Sequence, residues 1–251
     1  MSRAPIPLDA DLEAGLKRLK LSTIRRQAPD VLATARAQRW APEEVLRNLV
    51  EAEIVARDAS NTRNRMTAAR FPVHKTLDEF NLADSSIPRA SHDYLITLEW
   101  IHHAVNLCIV GPAGTGKSHY LIGLGRAAVT AGHKVRYFTA VDLVEHLYRA
   151  VADNTVGRAI EQICRNDLII IDEIGFAPLD HTGCQLLFRL VAAAYEHRSI
   201  AIGSHSPFEQ WGRFLPDQPT AVSLLDRLCH HANIITTTGD SYRLTHRTGG
   251  H

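Results

Sequence analysis

Cysteine is scarce in this sequence of 251 residues: there are four, and no two form a CxxC pair. Dispersed thiols are typical of a reducing compartment, so we expect a cytoplasmic protein. No run of about eighteen uncharged apolar residues occurs, which excludes a membrane span. No long apolar stretch follows the first arginine, so we do not expect a secretory signal. Net charge is only +1, so attraction to nucleic acid would have to come from local clusters.

The first eighty residues have the pattern of helices. Leucines at 12, 16 and 19 have the spacing of one buried helix face. Pro29 is expected to interrupt or restart that pattern, while Pro42 followed by two glutamates is typical of a helix first turn. Four further apolar residues then predict a stripe along this helix: Leu46, Leu49, Val50 and Ile54.

A different pattern begins near Leu107, where short apolar runs alternate with longer helical segments. This alternation predicts an α/β fold with a parallel sheet between layers of helices. The expected strands are 107–110, 135–138, 168–171, 200–202 and 234–238, and the helices between them include 119–130, 141–152 and 185–197. The boundary should fall between Thr76 and His103, and we place a helical N-terminal domain at 1–80 and the α/β domain at 81–251.

A phosphate-binding motif follows the first predicted strand. Gly111-Pro-Ala-Gly-Thr-Gly-Lys117-Ser118 fits GxxxxGK[ST] and opens a helix, the context in which this motif is most specific. Glycines let backbone N–H groups turn toward a phosphate, and the helix N-terminus adds its positive end. Lys117 would reach the β- and γ-phosphates and Ser118 would ligate Mg²⁺. The predicted nucleotide-binding residues are Gly111, Pro112, Ala113, Gly114, Thr115, Gly116, Lys117, Ser118 and His119.

Two acids end the third predicted strand. Asp172 would hold Mg²⁺ together with Ser118, and Glu173 would polarise the water that attacks the γ-phosphate. An acid that activates water favours an ATPase over a kinase, which needs an acceptor substrate instead. The sequence therefore predicts a Mg²⁺-dependent ATPase with Lys117 and Glu173 as catalytic residues.

Several longer segments resemble one family. They are Ile87-Pro-Arg-Ala, Ser206-Pro-Phe-Glu-Gln-Trp-Gly, Leu225-Asp-Arg-Leu-Cys-His-His and Asp240-Ser-Tyr-Arg-Leu. Together with the two phosphate motifs they resemble the IstB family, bacterial ATP-binding helpers of insertion sequences that are similar to the DnaC and DnaI helicase loaders. The resemblance covers nearly the whole chain. It implies an AAA+ ATPase core, ATP-dependent self-assembly into a homo-oligomer on double-stranded target DNA, and delivery of that DNA to a partner transposase.

The resemblance also implies roles for three further residues. Arg227 would be the arginine finger that reaches a neighbour's γ-phosphate, and Arg243 the second sensor in its own subunit. The family usually carries Ser or Thr followed by Asn as the first sensor, whereas this chain has Ser204-His205. Neutral histidine can still donate one hydrogen bond. Either His205 takes the role, or Ser204 does, or hydrolysis is weak.

Local charge leaves two interpretations of the N-terminal region open. Two basic runs contain few acids, and they could contact DNA phosphates or be solvated helix faces. The first run is Lys17, Arg18, Lys20, Arg25, Arg26, Arg36 and Arg39; the second is Arg57, Arg63, Arg65, Arg70 and Lys75. Histidine pairs at 102–103 and 230–231 lack partners at metal-finger spacing, so a structural zinc is disfavoured.

Three rival functions remain. A helicase loader would share the core but prefer single-stranded DNA and bind a replicative helicase. A phosphate-loop kinase would phosphorylate a small acceptor without any dependence on DNA. A nucleotide-binding adaptor without hydrolysis would be compatible with His205.

Overall fold

The computed structural model describes residues 7–242. The chain divides into two compact units, residues 1–64 and residues 65–251. None of the helices within the described range has the length and apolar character that crossing a bilayer requires. The domain boundary near residue 80 remains a prediction. The second compact unit begins earlier, at Arg65.

The first unit is helical. Its elements are α1 (Ala10–Arg18), α2 (Ser22–Gln38) and the greater part of α3 (Pro42–Ala69). Asp9 caps α1 by accepting a hydrogen bond from the Asp11 N–H. The buried carboxylate of Glu53 on α3 accepts bonds from the Thr23 and Ile24 N–H groups at 2.8 and 3.0 Å. Because α2 has no side-chain cap of its own, Glu53 provides the acceptor for two of the first backbone N–H groups of α2, although it lies far away in the sequence.

Two expectations about this unit were wrong. Pro29 lies inside a single continuous α2 and does not interrupt it. The leucine pattern of α1 is not a buried face, since Leu12 is 50% exposed and Leu19 is 68% exposed. The four residues of the predicted stripe do lie on α3, where Leu46 is 65% and Ile54 is 52% exposed. Helical spacing places apolar residues on one face, but it does not provide a surface to cover them.

The second unit has the predicted α/β fold. Its five strands are β1 (Asn106–Val110), β2 (Val135–Thr139), β3 (Leu168–Ile174), β4 (Ser199–Ser204) and β5 (Ala232–Thr236). All are parallel, in the order β2-β3-β4-β1-β5. Its helices are α4 (Arg89–Leu95), α5 (Glu99–His102), α6 (Lys117–Thr130), α7 (Ala140–Ala152), α8 (Val156–Ile163), α9 (His181–Ala194) and α10 (Gln218–Cys229), with short 3₁₀ turns at Leu82–Asp84 and Phe208–Arg213.

Buried residues form an apolar cluster on each face of this sheet. Neighbours on β3 alternate between them: Ile169 and Ile171 face one cluster, whereas Leu168 and Ile170 face the other. Strands covered on both faces read as continuous apolar runs, which is why the sequence revealed them. Trp211 is fully buried in the first cluster. This double layer fixes the ends of the strands, where the candidate site lies.

Candidate nucleotide site

The phosphate motif forms the turn between β1 and α6. Gly111, Gly114 and Gly116 adopt φ values of 142°, 84° and 90°, which side chains with a Cβ rarely tolerate. A Cβ on Gly111 would lie 2.1 Å from the carbonyl oxygen of Thr237. Gly116 is the N-cap of α6, so the first N–H groups of this helix open toward the loop. The backbone therefore forms a cradle of donors for an anion.

Lys117 is the first residue of α6 and is buried, with 8% of its surface exposed. Its Nζ donates to the carbonyl oxygens of Gly111 and Pro112 at 2.7 and 2.6 Å. A buried ammonium needs such acceptors. The loop thus keeps a cationic group inside the cradle, where a triphosphate would be bound. Ser118 follows on the same helix and is half-buried.

The two acids lie on β3, which is separated from β1 by the single strand β4. Asp172, 2% exposed, accepts hydrogen bonds from the hydroxyl of Tyr137 at 3.0 Å and from the Glu173 N–H at 2.9 Å. Burial and the negative charge of Asp172 together raise the pKa of Tyr137, so this phenol remains a donor. The carboxylate is thereby held at the carboxyl end of β3.

Glu173 has an unusual backbone. Its φ is 61°, in the left-handed region, and the pairing of β3 with β4 is irregular between Ile171 and Ile174. Such strain and bulges cluster at functional sites, where they re-aim a side chain. Here the side chain of Glu173 is exposed while its neighbours Asp172 and Ile174 are buried. The bulge therefore presents one acid to solvent beside a buried one.

Sequence reasoning missed Gly203, which makes room for Asp172. A Cβ on Gly203 would lie 2.1 Å from Oδ1 of Asp172. Register pairs Val110 on β1 with Ser204 on β4 and Thr139 on β2 with Asp172 on β3, so these strand ends meet at one edge of the sheet. A glycine inside a strand was the available signal, because it marks close approach of another group.

The two candidates for the first sensor occupy different surroundings. Ser204 is fully buried, and its Oγ lies 3.0 Å from the Ile174 carbonyl oxygen and 2.8 Å from that of Ser206. His205 is exposed and packs edge-on against Phe176, with 6.1 Å between the ring centroids. Ser204 is therefore used within the loop, whereas His205 lies next to the segment that follows the acids.

The segment after β5 also contacts the phosphate loop, which sequence reasoning did not foresee. The Thr237 hydroxyl lies 2.8 Å from that of Thr115, and the Tyr242 N–H donates to the Gly114 carbonyl at 3.1 Å. A Cβ on Gly114 would meet Ser241 Oγ. Arg243, the expected second sensor, lies outside the described residues, directly after this segment.

On the other side of the loop, residues 76–80 pack against the start of α6. The ring of Phe80 approaches Gly116, where a Cβ would lie 2.8 Å away, and it contacts His119 edge-on. His119 Nε2 lies 2.9 Å from the carbonyl oxygen of Thr76. His119 thus contacts the flanking segment through both its ring and its Nε2 atom.

Arg227 lies on α10, a helix whose residues Leu224 and Leu228 belong to the first apolar cluster. It is half-buried; its guanidinium lies over the ring of Phe188, 4.9 Å from the centroid, and Nη1 donates to the Ser223 carbonyl at 3.1 Å. No ion pair within residues 7–242 involves it. The structure holds this arginine by packing and leaves its charge without a carboxylate.

Sequence spacing gave no third polar partner for the histidine pair at the end of α10, but the fold brings Glu196 close to it. Ligand atoms of Glu196, His230 and His231, all exposed, lie within 4.8 Å of one another. The Tyr195 hydroxyl bonds to His230 Nδ1 at 2.8 Å. Glu196 follows α9, so only the tertiary fold brings it to the histidines.

The site combines a glycine cradle after β1, a buried lysine at the start of α6 and an acid pair at the end of β3. In a five-stranded parallel sheet of this order, these features define a phosphate-loop protein of the AAA+ type. The IstB-like ATP binding protein family matches residues 14–249, so this chain belongs to that family. The resemblance and the fold class expected from the sequence are both confirmed.

Relatives in insertion sequences are similar over most of their length. The ATP-binding protein of insertion sequence IS5376 from Geobacillus stearothermophilus is 36% identical over 80% of each chain. That of IS21 from Pseudomonas aeruginosa is 33% identical over 93% of this chain and 89% of its own.

Solved structures support the fold. Replication initiator DnaA bound to AMPPCP and single-stranded DNA has a TM-score of 0.54 at 19% identity, covering 66% of this chain and 50% of that one. DnaI has a TM-score of 0.52 at 15% identity, covering 68% and 91%.

Proposed function

We propose that this protein is an ATP-dependent regulator of transposition that assembles on double-stranded target DNA and delivers it to a partner transposase. The observation that carries the proposal is the placement of Lys117, Asp172 and Glu173 at one edge of the sheet in a chain of the IstB-like family. Its relatives are named as ATP-binding proteins of insertion sequences. ATP hydrolysis would reset the assembly.

The residues present fit ATP with Mg²⁺. The ammonium of Lys117 and the donors of the loop suit phosphate oxygens, while Ser118 and Asp172 offer the oxygen ligands that a hard cation prefers. When bound, Mg²⁺ supplies charge neutralisation on the transferring phosphoryl group. Tyr137 and the space above Gly203 keep the Asp172 carboxylate in place for this role.

Glu173 would take the proton from the attacking water. Its carboxylate is exposed and lies next to the acid that would hold the metal. Of the two first-sensor candidates, we favour His205, because the hydroxyl of Ser204 is already bonded within the loop. A ring N–H of His205 could then orient water or phosphate.

Arg227 would complete the site of a neighbouring subunit. An arginine finger supplied in trans makes hydrolysis depend on assembly, because the charge it stabilises develops only in the neighbour's site. The unneutralised guanidinium supported by Phe188 suits this role. Arg243 would act in its own subunit, and the contacts of residues 241 and 242 with the loop support that assignment.

The N-terminal helices would provide contacts for DNA, the transposase and self-assembly. Exposed apolar residues on α3, among them Leu46, Ile54 and Val55, could be covered by a protein partner. Basic residues of the same region could neutralise phosphates. Arg57 bonds to Glu53 and to the Lys20 carbonyl and therefore supports the fold.

Binding to matched duplex and single-stranded DNA tests the proposal, measured with ATP, with ADP and without nucleotide at one salt concentration. We expect tight, cooperative binding of duplex that requires ATP. A preference for single strands would favour the helicase loader. Absence of DNA binding in every nucleotide state would contradict both and return attention to the kinase.

A further inference from the structure

A cleft of about 280 Å³ lies in the second unit, away from the phosphate loop. It is lined by Met66, Thr67, Arg70, Phe71, Pro72, Val73, His74 and Arg126. Three of these residues are basic and none carries a carboxylate. The composition of the lining therefore points to an anionic ligand.

Arg126 is one of the cations that line this cleft. Its Nη2 lies 2.8 Å from Nε2 of His74, so its side-chain partner is another basic residue. Its Nε is buried without a hydrogen-bond partner, which no other buried side-chain nitrogen or oxygen within residues 7–242 shows. An unpaired buried donor is costly, and arginine cannot lose its charge to avoid that cost. The fold thus maintains a guanidinium that no group of the described chain neutralises.

Further positive charge extends beyond the cleft. Burial and the nearby charge of Arg70 lower the pKa of Arg136 on β2. Burial, followed by the charges of Arg136, Arg149 and Arg70, lowers the pKa of His146 on α7. Within residues 7–242, no ion pair involves Arg70, Arg126 or Arg136. Positive charge in the second unit thus continues from the cleft to Arg136, whose Nη1 donates to the Ala68 carbonyl at 2.9 Å.

The cleft is separate from the nucleotide site. Arg126 follows Lys117 on α6 by two and a half turns, which places the two side chains on opposite faces and about 13 Å apart along the axis. A triphosphate bound at the loop would not neutralise Arg126. The charge in the cleft therefore needs a separate anion.

We propose that Arg70 and Arg126 bind the phosphodiester backbone of nucleic acid through this cleft. The inference rests on the proposed function and adds to it a DNA contact that includes Arg126 on α6, in the second unit. The planar guanidinium fork matches phosphate geometry. A chain of phosphates would also gain from the charge of Arg136, which interacts electrostatically with Arg70 of the cleft.

The experiment measures duplex DNA binding by the full-length protein with ATP over a series of salt concentrations. Arg70→Gln and Arg126→Gln should each lower affinity about 3- to 10-fold near 0.1 M salt, and each should reduce the slope of log affinity against log salt by about one. Arg165→Gln is the matched control, because this exposed arginine already pairs with Glu161 at 3.1 Å. It should leave the slope unchanged.

Parallel measurements separate the possible failures. Affinity for ATP should be the same in all three variants, and a loss of ATP affinity with an unchanged salt slope would overturn the inference in favour of a nucleotide ligand. Arg70 is exposed, so its variant should fold even if Arg126→Gln does not. Wild-type slopes in both cleft variants would overturn the inference alone. A wild-type protein that binds no DNA would overturn the proposed function as well.

Discussion

The two compact units are built on different principles. In the second unit, continuous apolar strands are buried on both faces and hold the nucleotide-site residues at one edge of the sheet. In the first, the residues buried among those described are Thr23, Ala28, Ala35 and Glu53, while large apolar side chains remain exposed. The difference indicates that an apolar core fixes the strand ends of the second unit, whereas buried polar bonds such as those of Glu53 organise the first.

The largest effect expected in the second unit comes from Glu173→Gln. Removing a general base should lower the hydrolysis rate about 10²- to 10⁴-fold. Affinity for ATP should change little, because the side chain is exposed and outside the phosphate cradle. Steady-state ATPase rates and nucleotide titrations measure both quantities, with Glu209→Gln on an exposed site as the control. Hydrolysis at the wild-type rate would show that Glu173 is not the base.

Gly203→Ala tests how closely the sheet positions Asp172. The added Cβ would overlap Oδ1 of Asp172, so the carboxylate must move. We expect about a tenfold loss of Mg²⁺-dependent ATP affinity, roughly the effect of displacing one charged ligand. Gly157→Ala is the matched control, because a Cβ there meets nothing within 4 Å. Equal Mg²⁺ titrations for both variants would contradict the proposed metal role of Asp172.

Glu53→Gln tests the polar organisation of the first unit. Although burial opposes it, hydrogen bonds from Arg57, Ile24 and Thr23 lower the pKa of Glu53 below its ordinary value of 4.5. The charged form therefore stabilises the fold above about pH 4.5, and that stabilisation is lost as pH falls through the lowered pKa. At pH 7 the free energy of unfolding of the variant should be about 1 kcal/mol lower than that of the wild-type protein.

Hydrogen exchange of the α2 amides measures this effect. Protection of Thr23 and Ile24 should fall in the variant at pH 7, and the difference between variant and wild type should shrink toward pH 3. Glu43→Gln, at the exposed start of α3, provides the comparison. An equal difference at both pH values would mean that the charge of Glu53 does not stabilise the cap.

The same contrast explains what the sequence could predict. The β/α alternation, the phosphate cradle and the acid pair are local patterns, and the fold class inferred from them is confirmed. Three contacts join residues that lie 29 to 122 positions apart, and no local pattern encodes them. They are the cap of α2 by Glu53, the bond from Tyr137 to Asp172 and the contact of Thr237 with the phosphate loop. The exposed leucines of α1 show the converse: helical spacing predicts a face but does not show whether it is covered.

The central claim is that the nucleotide site is shared between subunits, so that hydrolysis depends on assembly. Mixing two inactive variants tests it directly. Lys117→Ala should lose ATP binding but keep its Arg227, whereas Arg227→Ala should bind ATP but lack the finger. With DNA present, the mixture should regain a substantial part of wild-type ATPase activity while each variant alone stays inactive. A mixture no more active than its components would show that Arg227 does not act on a neighbour's nucleotide.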